Sequence, residues 1–134
     1  MTLLRAERGS ISVLILGLSL ALIIALGLAV DGSRKALAAS RATAVAEEAA
    51  RAGGQALDPH ALADGRTAHV DHAQATAAAR HYLAAAGMPG TVKVQADHIT
   101  VDTTDSLRTV FLGVIGIAEL TVHGHGAADL LSTD

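Results

Sequence analysis

The chain has 134 residues, a formal net charge of −3, no cysteine and no tryptophan. The lack of cysteine excludes a disulfide framework and thiolate chemistry, and the charge leaves no electrostatic footprint for nucleic acid. With one phenylalanine and one tyrosine, a soluble core has to be built from alanine, valine, leucine and isoleucine, and it will be thin.

The first residues, MTLLRAERG, form a short leader that carries Arg5 and Arg8 against Glu7. Residues 11–30 follow, ISVLILGLSLALIIALGLAV, without a charge or a proline. Twenty helical residues rise about 30 Å, the thickness of the hydrocarbon core of a bilayer. A helix at the edge of a soluble core would show a polar face; here only Ser12 and Ser19 carry hydroxyls, which a helix can return to its own carbonyls. The run therefore reads as a transmembrane helix. Arg5 and Arg8 before it and Arg34 and Lys35 beyond it nearly balance the positive-inside rule. The short leader and the roughly 100 residues that follow favour a cytoplasmic N-terminus. A cleaved secretory signal is the competing reading, with Gly27-Leu28-Ala29 as the small-residue site, although the apolar run is longer than such signals favour.

Gly17, Ala21, Ala25 and Ala29 recur every four residues and place small side chains on one helix face, where another helix can approach closely. Beyond Asp31 the helix is expected to continue to Gly53-Gly54. Its apolar seam is Ala38, Ala42, Val45, Ala49, Ala52 and Ala56, and Glu47 with Arg51 forms an i,i+4 pair. A polar connector then runs from Asp58-Pro59 to Val70. Asp71 is the expected N-cap of a second helix over residues 72–86, ended by Gly87. Its buried stripe is Ala75, Ala78, Ala79, Tyr82 and Ala86. Alternation at Val92, Val94, Ala96 and again at Ile99, Val101, Thr103 predicts a hairpin turning near Asp97-His98. Residues 110–117, VFLGVIGI, are too few to span a bilayer and are expected to close the small core, with an exposed apolar patch as the alternative. A last strand takes Glu119 to Ala127, and residues 128–134 should fray.

The expected fold is α+β and pilin-like: a long N-terminal helix that leaves the membrane, and a second helix on a small antiparallel sheet of about three strands. Residues 1–10 are the cytoplasmic leader, 11–30 the span, 31–57 the extracytoplasmic continuation of the helix and 58–134 the head.

Arg8-Gly9-Ser10, the apolar run, the junction Gly27-Leu28-Ala29-Val30-Asp31-Gly32-Ser33-Arg34 and the alanine-rich stretch of residues 44–53 resemble the TadE/TadG-like family of tight-adherence (Flp-type) pilus assembly. The C-terminal Thr-x-Phe-Leu-Gly-x-Ile-Gly-Ile pattern is similar to actinobacterial members. The most specific part is the Gly-Leu-Ala-Val-Asp-Gly-x-Arg junction, with Asp31, Gly32 and Arg34 as its motif residues. The resemblance implies a single-pass protein of the plasma membrane with an exported C-terminal domain. Its partners would be the lipid bilayer and other pilus-assembly or pilin subunits. It also implies a possible prepilin-peptidase bond at Gly9–Ser10, but the glutamate usual five residues after that cut is replaced by Leu14.

Seven histidines are many for this length. His69 and His72 can share a helix face, and His123 and His125 one face of a strand. A firm zinc site needs three or four converging ligands, which the spacing does not force, so solvated imidazoles are expected and His123 and His125 stand as the candidates for a metal. Glu47-Glu48 and Asp102 with Asp105 read as solvated charge, since no cleft is inferable to shift their pKa. No nucleophile triad, phosphate loop or CxxC motif occurs, and no cofactor is implied. The function expected is a structural component of pilus assembly, not an enzyme. A membrane-anchored extracytoplasmic binding module, sensing metal or pH through its histidines, is the alternative.

Overall fold

The first helix, α1, spans Leu4–Gly54, uninterrupted because its sequence holds no proline and its leucines and alanines are strong helix formers. The computed structural model describes residues 4–56 and 70–130, with side chains described from Ser10. The connector expected from Asp58, with His60 and His69, lies outside the described residues except for Val70, as do the last four residues of the chain. After the connector come α2 (His72–Ala86), β1 (Gly90–Gln95), β2 (His98–Arg108), a 3-10 turn (Leu112–Ile115) and β3 (Glu119–Asp129). The strands form one antiparallel sheet in the order β1-β2-β3. The α+β architecture expected from the sequence is present. β3 runs through Ala128 and Asp129, two residues that were expected to fray; Leu130 N–H extends the order by bonding Asp97 O.

The described chain divides into two compact units. One holds the front of α1 up to Arg34 together with Arg108–Leu120; the other holds the chain from Lys35 to Leu107 and from Thr121 onward.

In the second unit the core is made of small side chains from three sources. Ala46, Ala49 and Ala50 of α1 meet Ala75, Ala79 and Leu83 of α2 and Ile99 and Val101 of β2, with Val70 alongside. Ala42, Met88 and Val122 extend it. The seam on α1 is wider than the expected one: Ala42 and Ala49 are buried as expected, Ala46, Ala50, Gly53 and Gly54 are buried with them, and Ala38, Val45, Ala52 and Ala56 are half-buried. The stripe of α2 is Ala75, Ala79 and Leu83, and Tyr82 is exposed. Leu83 replaces Tyr82 because an i,i+4,i+8 row keeps one face, and the tyrosine hydroxyl is better left in water.

Local signals set the ends of these elements. Asp71 accepts the Ala73 N–H at 3.1 Å, satisfying a donor that the first helical turn leaves free. Gly87 closes α2 with φ 64, the left-handed cap conformation that glycine adopts without strain. The β1–β2 register pairs Val92 with Val101 and Val94 with Ile99, and the turn falls on Ala96-Asp97 between the paired Gln95 and His98. Ala96 takes φ 51, a position that suits glycine better than alanine.

The closest packing in this unit is backbone against backbone. A Cβ built on Gly124 would overlap the Ala42 carbonyl, and one on Gly126 the Ala46 carbonyl. Thr103 donates its hydroxyl to the same Ala42 carbonyl at 2.9 Å, so this buried threonine is satisfied. The sheet thus lies against α1 at a distance only glycine permits, which lets a core without large rings fill its volume.

Overpacking at such a contact costs about 1–3 kcal/mol. Gly124→Ala is expected to lower thermal stability by that amount in a detergent-solubilised preparation. Gly32→Ala, where nothing lies within 4 Å of the added methyl, should leave stability unchanged or raise it by up to about 1 kcal/mol through helix propensity. Ala96→Gly should add about 0.5–1 kcal/mol, because it removes the penalty of a side chain at positive φ. Thermal melts of the three variants check all of these.

Candidate functional site

The first unit is built around one acid. Asp31 directly follows the apolar run and is 1% exposed, although it carries a charge. A buried carboxylate has to be paired or hydrogen-bonded. Here it is capped by backbone: Val110 N–H donates to Oδ1 at 2.9 Å, and Phe111 and Leu112 N–H donate to Oδ2 at 2.9 and 2.8 Å. These donors lead into the 3-10 turn, so the carboxylate sits where a helical start leaves its N–H groups free. The Leu112 and Val110 N–H groups hold the Asp31 carboxyl below the usual carboxylate range. Burial pushes the other way, and Phe111 N–H and the Arg34 guanidinium add to the lowering.

One turn before Asp31, Gly27 makes room for the loop. A Cβ there would overlap the Phe111 side chain. Gly27 and Asp31 are four residues apart and share a helix face, so one face supplies both the gap for the ring and the acceptor for the backbone. The loop then closes on itself. Thr109 N–H reaches Ala118 O at 3.1 Å, Val114 N–H reaches Phe111 O at 3.1 Å, Gly116 N–H reaches Gly113 O at 3.2 Å and Ile117 N–H reaches Leu112 O at 3.0 Å. The Thr109 hydroxyl donates to Ile117 O. Gly116 sits at φ 91, where a side chain would be strained. Between loop and helix lies an apolar groove of about 240 Å³, lined by Leu20, Ile24 and Leu28 on one side and Phe111, Val114 and Ile115 on the other.

Residues 110–117 do not close a core, contrary to expectation. Val114 is 85% exposed, Ile115 72% and Phe111 41%. They stand beside the apolar front of α1, whose side chains are themselves exposed, and the soluble core is filled by alanines and β-branched residues instead.

The other sequence candidates are dispersed. Gly17, Ala21, Ala25 and Ala29 lie on α1 with their surfaces exposed, and nothing lies within 4 Å of a methyl added at Gly17. Gly9 and Ser10 are both within α1. Gly32 and Arg34 are exposed. His123 and His125 share the exposed face of β3 but take different partners on β2: His123 Nδ1 lies 3.3 Å from Thr104 Oγ1 and His125 Nδ1 lies 2.8 Å from Asp102 Oδ1. His98 contacts Asp129 at 2.7 Å. Among the described residues no three histidines, aspartates or glutamates gather as a metal site would require. The ion pair of Arg51 is with Glu48, at 2.5 Å, and not with Glu47; half-exposed on both sides, it adds little.

Asp31 stands out in the sequence, but Gly27 and the loop do not stand out there as its partners. A signal was available: an acid ending an apolar run needs donors, and residues 109–118 are an apolar segment with no charge and two glycines.

Helix α1 contains a window long and apolar enough to cross a membrane, and almost none of that window is buried, unlike the core helix of a soluble protein. This makes the first unit a candidate membrane unit. Residues 9–56 match the family model of putative Flp pilus-assembly TadE/G-like proteins. The match covers about a third of the chain and includes the apolar run, Gly27 and the Asp31-Gly32-Ser33-Arg34 junction. No curated protein and no solved structure matches.

Replacing Asp31 with asparagine turns an acceptor pair for three N–H groups into one carbonyl and a donor. Amide exchange at Val110, Phe111 and Leu112 is expected to speed up by about tenfold or more when the charge-assisted bonds are lost. Because the carboxyl is held low in the folded chain, its contribution is present above the ordinary value of 3.8 and is lost as pH falls below it through the folded value. The same amides should therefore lose protection in acid in the native chain and show no such transition in Asp31→Asn.

Proposed function

We infer that the chain is a membrane-anchored structural component of Flp-type pilus assembly, pseudopilin-like or minor-pilin-like. What supports the reading is the coincidence of the family match with the apolar run and its Asp31 junction on one helix. In this reading residues 11–30 cross the plasma membrane once, the N-terminus is cytoplasmic, residues 31–57 continue the helix on the extracytoplasmic side and residues 58–134 form the head. The protein acts by being held in place and by packing, so it is read as non-enzymatic. Gly17, Ala21, Ala25 and Ala29 present a row on which the span of another pilus subunit can lie closely. Leu14 stands where a processed pilin would carry glutamate, so the Gly9–Ser10 bond stays intact and the chain remains in the bilayer as an accessory rather than entering the filament.

Deleting the gene in its host should abolish or sharply reduce Flp-type surface filaments; undiminished filaments would contradict the assembly role. The native chain should stay with membranes through a carbonate wash and retain its leader on N-terminal sequencing. A chain starting at Ser10 would make it a processed subunit, and one starting at Val30 would remove the anchor.

A further inference from the structure

The loop of residues 110–117 forms a groove with the apolar front of α1, and its most exposed side chains are aliphatic. Val114 and Ile115 are 85% and 72% exposed. We propose that this loop is a second membrane-contacting element, inserted among the acyl chains of the leaflet that the C-terminal end of the span reaches, and held there by Asp31. The proposal rests on the membrane-span reading of residues 11–30.

Depth is the first support. The groove is shared with Ile24 and Leu20. Ile24 lies six residues before Val30, about 9 Å into the hydrocarbon at the helical rise. Side chains that line a groove with Ile24 are therefore at acyl-chain depth, within the about 5–10 Å to which interfacial elements sink.

Backbone chemistry is the second. Irregular backbone is tolerated in lipid only when its polar groups are satisfied within the protein. The N–H groups of Val110, Phe111 and Leu112 go to Asp31, and those of Thr109, Val114, Gly116 and Ile117 go to carbonyls of the same loop. The Thr109 hydroxyl is also returned to the loop. From Thr109 to Ala118 there is no ionisable side chain. A loop made for water would need neither this degree of internal pairing nor such composition. The carboxylate that caps it stands at the end of the apolar run, where the interface begins. Gly27 admits the one phenylalanine of the chain against the helix.

The chain has no tryptophan, so one introduced indole reports its own surroundings. Full-length Val114→Trp is placed in phosphatidylcholine nanodiscs with and without bromine on the acyl chains, beside Leu22→Trp as a probe of the span. Both positions are exposed, so neither substitution disturbs a core. Both indoles are expected to lose most of their emission to the brominated chains and to be shielded from aqueous iodide. Adding Asp31→Asn to Val114→Trp should weaken the bromine quenching and let iodide in. If Leu22→Trp is quenched by bromine while Val114→Trp is quenched by iodide instead, the loop is in water and the proposal is wrong. If Val114→Trp responds to neither quencher, another protein chain covers the loop and the proposal is equally wrong. Failure of bromine to quench Leu22→Trp would defeat the span reading itself. Unchanged quenching in the Asp31→Asn background would overturn the role given to the carboxylate.

Discussion

A carboxylate that takes three successive backbone N–H groups is the constraint on which the first unit depends. Without Asp31, residues 110–112 would present free donors next to an apolar helix, a setting in which an unpaired polar group is costly. With it, the chain can bring an uncharged loop back to the helix that carries the apolar run. The position of the acid decides the position of the loop. Four residues earlier, Gly27 supplies the space, and the two requirements fix which face of α1 the loop can use.

The second unit meets a different limit. Almost all of its buried side chains are alanine, valine, isoleucine or leucine, and small side chains fill volume only when backbones come close. Gly124 and Gly126 in β3 and Gly53 and Gly54 at the end of α1 allow that approach. Alternation then does a second job: His123 and His125 point away from the helix because Val122, Gly124 and Gly126 point toward it. The histidine-glycine-histidine pattern is thus explained by the glycines, whose neighbours across the pleat are free to be polar.

Much of this was legible in the residues. The apolar run, the end of α1 at its glycine pair, the Asp71 cap of α2 and the hairpin were readable because each has a local cause: periodicity, a cap, alternation. The misplaced features are those set by distant partners. Tyr82 looked buried by spacing, but only the sheet decides which alanine row of α2 is covered. Residues 110–117 looked like core by hydropathy, which does not distinguish burial in protein from a place beside an apolar helix. Glu48 took Arg51 in place of Glu47 because i,i+3 and i,i+4 neighbours are nearly equivalent on a helix surface. The resemblance seen at Asp31-Gly32-Ser33-Arg34 marked the right place on the chain, and the family model matches over it, but the acid's chemistry became visible only with its three donors.

The carboxyl of Asp31 is open to direct observation. Titrating its carbon-13 resonance in the full-length chain, reconstituted in detergent micelles, while following the amide shifts of Val110, Phe111 and Leu112 tests whether the acid holds the loop. A pKa below 3.8, with the three amides moving together with the carboxyl, is the outcome expected of a carboxylate that caps them. A pKa at or above the ordinary value, with amides indifferent to it, would contradict the interaction from which the rest of the unit has been built.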